Sequence, residues 1–136
     1  MVAVHTLEVY PTVEELNEAV GRAFLARLST LIDQAGAGSR INLAISGGAI
    51  TTSLLPSLLP FVGDVDWSRV RVWLVDERYV PAGNEDRNDD QAWEGFLHAA
   101  SGVEFVRMPS SDESAPGAGS LDKATAAFAD TWRELM

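Results

Sequence analysis

Two short segments hold the groups best suited to chemistry: Ile45-Ser46-Gly47-Gly48 and Val75-Asp76-Glu77-Arg78-Tyr79-Val80-Pro81. Glycines let the backbone come close to a ligand, and the unpaired N–H groups that open a following helix favour negative charge. Ser46, Gly47 and Gly48 are therefore candidate phosphate ligands. Arg78 can meet a phosphate through two parallel N–H donors, and the Asp76 carboxylate can act on a proton. Each segment also has a plain structural reading. Gly-Gly makes a tight strand-to-helix turn, and a carboxylate beside an arginine commonly fixes a loop as an ion pair. What sets these two apart is that each follows an apolar, strand-like run. If both strands lie parallel in one sheet, both segments open at the same sheet edge, where open α/β folds place their ligands. Together they suit a sugar phosphate. Asn88 stays open between two roles, reaching that ligand or capping a helix through its spacing to Gln91.

The elements that must position these segments show as periodicities. Val2, Val4, Thr6, Leu7 and Val9 suit a first strand, and Thr12 with Glu15 has the T-x-x-E spacing of a helix capping box. Val13, Leu16, Val20, Phe24, Leu28 and Leu31 then recur at three- and four-residue steps, an apolar helical stripe that Gly36 and Gly38 bring to a stop. Residues 41–45 are short and nearly all apolar, as in a strand buried on both faces. The glycine turn leads into a helix over roughly residues 51–59, and residues 70–75 read as the next strand. After a loop, a helix from Asn88 to about Ala100 is expected to bury Trp93, Phe96 and Leu97. Residues 103–106 give a fourth strand, residues 109–120 a long exposed and flexible loop of small and polar residues, and Leu121, Ala124, Phe128, Trp132 and Leu135 a last helix. Four strands alternating with four helices predict an α/β fold with a mainly parallel sheet joined by right-handed crossovers.

Composition bounds the partners. With 136 residues, 46% of them hydrophobic, the chain can bury one substantial core, so a single domain over residues 1–136 is expected. A net charge of −10 repels polyanions and argues against sequence-independent nucleic-acid binding. Without cysteine there is no disulfide and no thiolate metal site, which fits a reducing compartment, and the cytoplasm is the expected location. The first ten residues lack a cationic head followed by a long apolar stretch, and Pro56 and Pro60 interrupt the most apolar region, so neither a signal peptide nor a membrane span is expected. His5 and His98 fall away from the proposed edge, and the four tryptophans follow core or interface spacing.

Three stretches carry a family resemblance: residues 41–48, residues 65–70, and above all Asp76-Glu77-Arg78-Tyr79-Val80-Pro81 with Asp86-Arg87-Asn88 beyond it. They resemble the 6-phosphogluconolactonase family, which is similar in fold to glucosamine-6-phosphate deaminases and related sugar-phosphate isomerases. The resemblance implies hydrolysis of 6-phosphoglucono-1,5-lactone to 6-phosphogluconate, in the oxidative pentose phosphate pathway, without metal or organic cofactor. Under it, Ser46, Gly47, Gly48 and Arg78 match phosphate-holding positions, and Asp76 matches an acidic position at the reacting end. The deaminases have Asp-Glu-Tyr where this chain has Asp76-Glu77-Arg78, so Arg78 favours the lactonase branch. Two departures stand out. Ala49-Ile50-Thr51 replaces the family's usual Ser-Thr-Pro, leaving Thr51 or Thr52 to supply a hydroxyl. The Gly-Pro-Asp-Gly-His-Thr type motif that carries the family's catalytic histidine is not among these residues. The expectation is an N-terminal half of a longer domain, with an incomplete sheet whose open edge favours self-association and little turnover by itself. A non-catalytic sugar-phosphate-binding module and an amino-sugar-phosphate isomerase or deaminase are the alternatives.

Overall fold

A computed structural model describes residues 2–136. Helix α1 (Val13–Gln34) starts where the capping spacing predicts, with the Thr12 side chain accepting a hydrogen bond from the Glu15 amide at 3.2 Å. Three strands follow, β1 (Ile41–Ile45), β2 (Val70–Leu74) and β3 (Glu104–Val106), all parallel and in the order β1-β2-β3. Ile41 stands opposite Val70 and Ile45 opposite Leu74, while Arg71 stands opposite Glu104. Because side chains alternate along a strand, this register sends Ile45, Val70, Val72 and Leu74 to one face. There they join Leu25, Leu28 and Ile32 of α1, Leu55 of α2 (Leu55–Ser57), and Phe96 in a single apolar core. Removing that surface from water is the main term holding the sheet to its helices.

The opposite face is covered by α4 (Leu121–Leu135), whose amide-capping residue is Ser120. Trp73 packs edge-on against Phe128 and tilted against Trp132, with ring centroids 6.0 and 4.8 Å away, and its indole N–H donates to Asn42 Oδ1 at 2.9 Å. Arg71 ties the end of α4 down through the Leu135 carbonyl at 2.8 Å and pairs with Glu104 at 2.8 Å.

Several expectations need correction. Residues 2–10 form no strand; Val2, Val4, Leu7 and Val9 are exposed. An alternating segment needs a partner ladder to bury its apolar side, and neither outer edge of the sheet has taken one among the described residues. Among the described residues the sheet therefore has three strands, not four. β1 is buried on one face only, and Asn42 and Ala44 on the other are exposed. α1 turns Gly21, Leu25, Leu28 and Ile32 inward, leaving Val13, Leu16 and Val20 of the expected stripe exposed. The helix after the glycine turn is irregular, running through a wide turn at Ile50–Leu54, then α2, then a tight turn at Leu59–Asp64. Helix α3 (Asn88–Gly95) stops short of Ala100, because Phe96 leaves helical geometry to become fully buried. Trp93 faces outward, 40% exposed, with the Arg107 guanidinium 6.0 Å over its ring. Residues 109–120 contain no helix or strand; Ser111 donates its amide to the Val80 carbonyl and Asp112 accepts from the Ala82 amide at 2.7 Å. No helix among the described residues is long and apolar enough to cross a membrane.

Candidate functional site

Adjacent parallel strands end at the same edge of a sheet, and β1 and β2 are neighbours. The two chemically interesting segments therefore leave the sheet side by side, and the ladder continues one rung past it, with the Val75 amide donating to the Ile45 carbonyl at 3.0 Å. From β1, Ser46-Gly47-Gly48 turns the chain into the wide helical turn. Gly48 has φ of +66°, a left-handed conformation that glycine adopts without strain. Its carbonyl accepts the first helical bonds, from the Thr51 and Thr52 amides at 3.1 and 3.0 Å, so the preceding amides in the turn lie ahead of the intrahelical ladder.

Asn88 bridges the two turns. Its carboxamide lies so close to Gly47 that a Cβ there would collide with it. Its Nδ2 donates to the Asp76 carbonyl and to Asp76 Oδ1, at 3.3 and 3.4 Å. Ser46, Gly47, Gly48, Asp76 and Asn88 thus share one rim. Arg78 stands two residues further along, exposed, and forms no ion pair among the described residues. It borders a small cleft of ≈ 130 Å³ against α4, with Tyr79, Leu121 and Phe128 among the walls. Thr51 does not reach the rim: it is 1% exposed, with its hydroxyl 3.0 Å from the Gly48 carbonyl and 3.4 Å from Gln91 Oε1. Thr52 is exposed and donates to the same carbonyl at 2.9 Å. His98 is a surface residue with Nδ1 2.9 Å from the Trp93 carbonyl.

The expected cap at Asn88 is replaced by a more distant one. Arg87 occupies the cap position without a side-chain bond, and Asn88 is already helical. The orphan amides of Asn88 and Asp89 are instead taken by the two oxygens of Glu77, at 2.8 and 2.9 Å, and Glu77 Oε1 also accepts from the Arg78 amide at 2.8 Å. The Glu77 side chain is only 2% exposed. A carboxylate from the end of β2 therefore caps α3, which welds the Asp76–Arg78 segment to the helix carrying Asn88. This is the functional group that spacing within the sequence does not reveal, since eleven residues separate the cap from the amide it serves.

Arg87 is equally buried. Its Nε and Nη2 donate to Asp89 Oδ2 at 3.1 and 2.8 Å, Nη1 to the Arg78 carbonyl at 3.0 Å, and Nη2 to the Met108 carbonyl at 2.8 Å. Burial alone would lower its pKa, but the hydrogen bond and charge of Asp89 and the nearby Glu77 outweigh it, and the guanidinium is held above its ordinary value. Burial would raise the Asp89 carboxyl; its bonds to Arg87 and the Asp90 amide and the charge of Arg107 lower it instead. A carboxyl lowered in the fold stabilises fully above its unfolded value, about 3.9, and that contribution disappears as pH falls through the lower folded value. Asp89→Asn is expected to cost about 3 kcal/mol at pH 7, because it removes the carboxylate that Arg87 bonds directly and leaves this buried cation with Glu77, 4.0 Å away, as its remaining negative neighbour. Urea unfolding at pH 7 and pH 3 checks this: the gap between wild type and variant should shrink on acidification.

No cluster of three or more His, Asp or Glu side chains is arranged to hold a metal ion among the described residues. What the rim offers is a set of backbone donors and one exposed carboxylate, with the Arg78 guanidinium, unpaired among the described residues, two residues beyond it in the chain. A parallel α/β sheet whose adjacent strands deliver these two segments to one edge defines an open α/β protein. The sequence matches the family described as glucosamine-6-phosphate isomerases/6-phosphogluconolactonase over residues 11–136. The chain belongs to that family. It is 31% identical over 117 residues to a 6-phosphogluconolactonase of Streptomyces coelicolor, an overlap of 82% of this chain and 44% of that protein. It is 32% identical over 116 residues to one of Rhizobium meliloti, covering 85% and 48%. Among solved structures, the 6-phosphogluconolactonase of Leishmania guyanensis superposes with a TM-score of 0.70 at 21% identity, covering 98% of this chain and 51% of that one. This likeness shows the shared fold. The chain thus spans about half the length of the relatives it matches.

Proposed function

We propose that this chain is the substrate-anchoring part of a 6-phosphogluconolactonase that works in the cytoplasm. The single observation that carries this reading is the Asn88 bridge, which fastens the Ser46-Gly47-Gly48 turn to Asp76. In the reaction, water adds to the lactone carbonyl and the ring C–O bond breaks; one proton of the water passes to the released ring oxygen, which becomes a hydroxyl, and the other is released to solvent, leaving the carboxylate of 6-phosphogluconate. Ser46, Gly47, Gly48 and Arg78 hold the phosphate, and that anchorage fixes the ring so that the carbonyl meets its nucleophile in one orientation. Asp76, exposed at the rim, orients the water or the base that deprotonates it. Asn88 keeps Asp76 and the glycine turn at a fixed separation. Arg78 in place of tyrosine favours the lactone over an amino-sugar phosphate.

His98 lies at the surface with Nδ1 2.9 Å from the Trp93 carbonyl, which favours binding without efficient turnover by these residues alone. The uncovered edge and face of β1 support self-association as a further property. The test uses two readouts on the 136-residue chain. Titration with 6-phosphogluconate should saturate and move the Gly47 and Gly48 amide resonances, whereas gluconate without phosphate should not. Acid release from 6-phosphogluconolactone should stay near the spontaneous rate. Equal binding of gluconate and its phosphate ester would overturn the anchoring role, and turnover at an ordinary enzymatic rate would overturn the division of labour.

A further inference from the structure

Arg78 combines a free side chain with a pinned backbone. Its amide donates to buried Glu77 Oε1 at 2.8 Å, and its carbonyl accepts both the Val80 amide and buried Arg87 Nη1 at 3.0 Å. The peptide groups on both sides of its Cα are therefore fixed, which fixes the direction in which the side chain leaves. Yet the guanidinium itself pairs with no carboxylate among the described residues. The two buried groups that cap α3 and pair with Asp89 thus also fix the backbone from which an uncommitted cation leaves.

We propose that Arg87 is a positioning residue for anion capture: by bonding the Arg78 carbonyl, the Met108 carbonyl and Asp89 together, it aims the Arg78 guanidinium at the ligand's phosphate. The inference rests on the phosphate-anchoring reading above and adds a residue that touches no ligand. Only a planar guanidinium can serve here. Its fork reaches three elements at once, the chain after β2, the chain after β3, and the first turn of α3, whereas a lysine ammonium is a single point of charge on a flexible stem. A net charge of −10 makes the aim matter, since a dianion finds little attraction elsewhere on the molecule.

The experiment is a titration of the full chain with inorganic phosphate, read from the dispersed amide resonances of the folded state, which are distinct from those of unfolded chains. Arg87→Lys is expected to weaken phosphate binding about 10-fold while the Gly47 and Gly48 amides still respond, because the turn that carries them is untouched. A merely structural role would lower the melting temperature and leave the affinity of the folded fraction unchanged; that result overturns the proposal. Should Arg87→Lys fail to fold, the wild-type Arg87 guanidinium N–H resonances decide: they should shift with phosphate and lose that shift in Arg78→Ala, and a signal indifferent to phosphate overturns the proposal. A wild-type chain in which neither Gly47 nor Gly48 responds removes the anchoring reading itself and this inference with it. Saturable wild-type binding with an unaltered Arg87→Lys affinity removes only the role of Arg87.

Discussion

Gly47→Ala is expected to destroy anion binding while leaving a folded, weakened protein. The added Cβ collides with the Asn88 carboxamide, and Asn88 has nowhere to retreat. Its Nδ2 is committed to Asp76, and its own amide is committed to Glu77 at 2.8 Å. Either the glycine turn moves outward or the carboxamide is expelled, and both outcomes separate the two halves of the rim. Overpacking of this kind costs about 1–3 kcal/mol. Displacement of the turn amides by about 1 Å lowers affinity on the order of 100-fold. Gly48→Ala provides the comparison: its Cβ meets open space, so the cost is left-handed backbone strain of about 1–2 kcal/mol, with a smaller loss of binding. Phosphate titration and thermal unfolding of both variants check the order. Equal affinity in Gly47→Ala and wild type would show that the two turns do not act as one site.

The second large effect is on stability. Glu77→Ala is expected to cost about 4 kcal/mol and to lower Tm on the order of 12 °C. Three amides lose their acceptor at once, those of Arg78, Asn88 and Asp89, in a place where water cannot substitute freely because the side chain is 2% exposed. The Arg87 guanidinium, 4.0 Å from Glu77, loses one of its two buried negative neighbours. Glu77→Gln keeps an acceptor oxygen and is expected to recover about half of the loss, since one of the helix amides is again satisfied. Chemical denaturation of both variants is the check, and a Glu77→Ala loss below 1 kcal/mol would show that the cap is not what holds α3.

The sequence displays the fold class and the meeting of two segments at one sheet edge more clearly than the bounds and buried faces of the elements around them. The placement of Ser46-Gly47-Gly48 and Asp76 at one edge follows from two apolar runs, and the order β1-β2 makes that inference hold. Local signals such as the Thr12 cap were readable because donor and acceptor lie three residues apart. What escaped notice was non-local. The cap on α3 comes from Glu77, not from Asn88 or Gln91, and Arg87 bonds a carbonyl nine residues back and another twenty-one residues ahead. The stripe of α1 was misplaced for a related reason: Val13, Leu16 and Val20 have the right period, but which apolar arc is buried depends on the surface the helix meets. The N-terminal segment has the alternation of a strand, but alternation is a capacity for pairing and not a partner.

The isolation of the Arg78 cation has a kinetic side. If Arg78 anchors a phosphate as proposed, a phosphorylated molecule crosses a repulsive far field, set by the net charge of −10, before it meets that cation at contact range. Dissolved salt screens the long-range repulsion over about 8 Å at physiological strength but weakens the short-range capture much less. Encounter therefore quickens as ions are added while residence changes little, the reverse of the steering seen in enzymes with positively charged mouths. On that reading, discrimination between large and small anions is made by distance: polyanions are repelled on approach, and small ones are selected at contact.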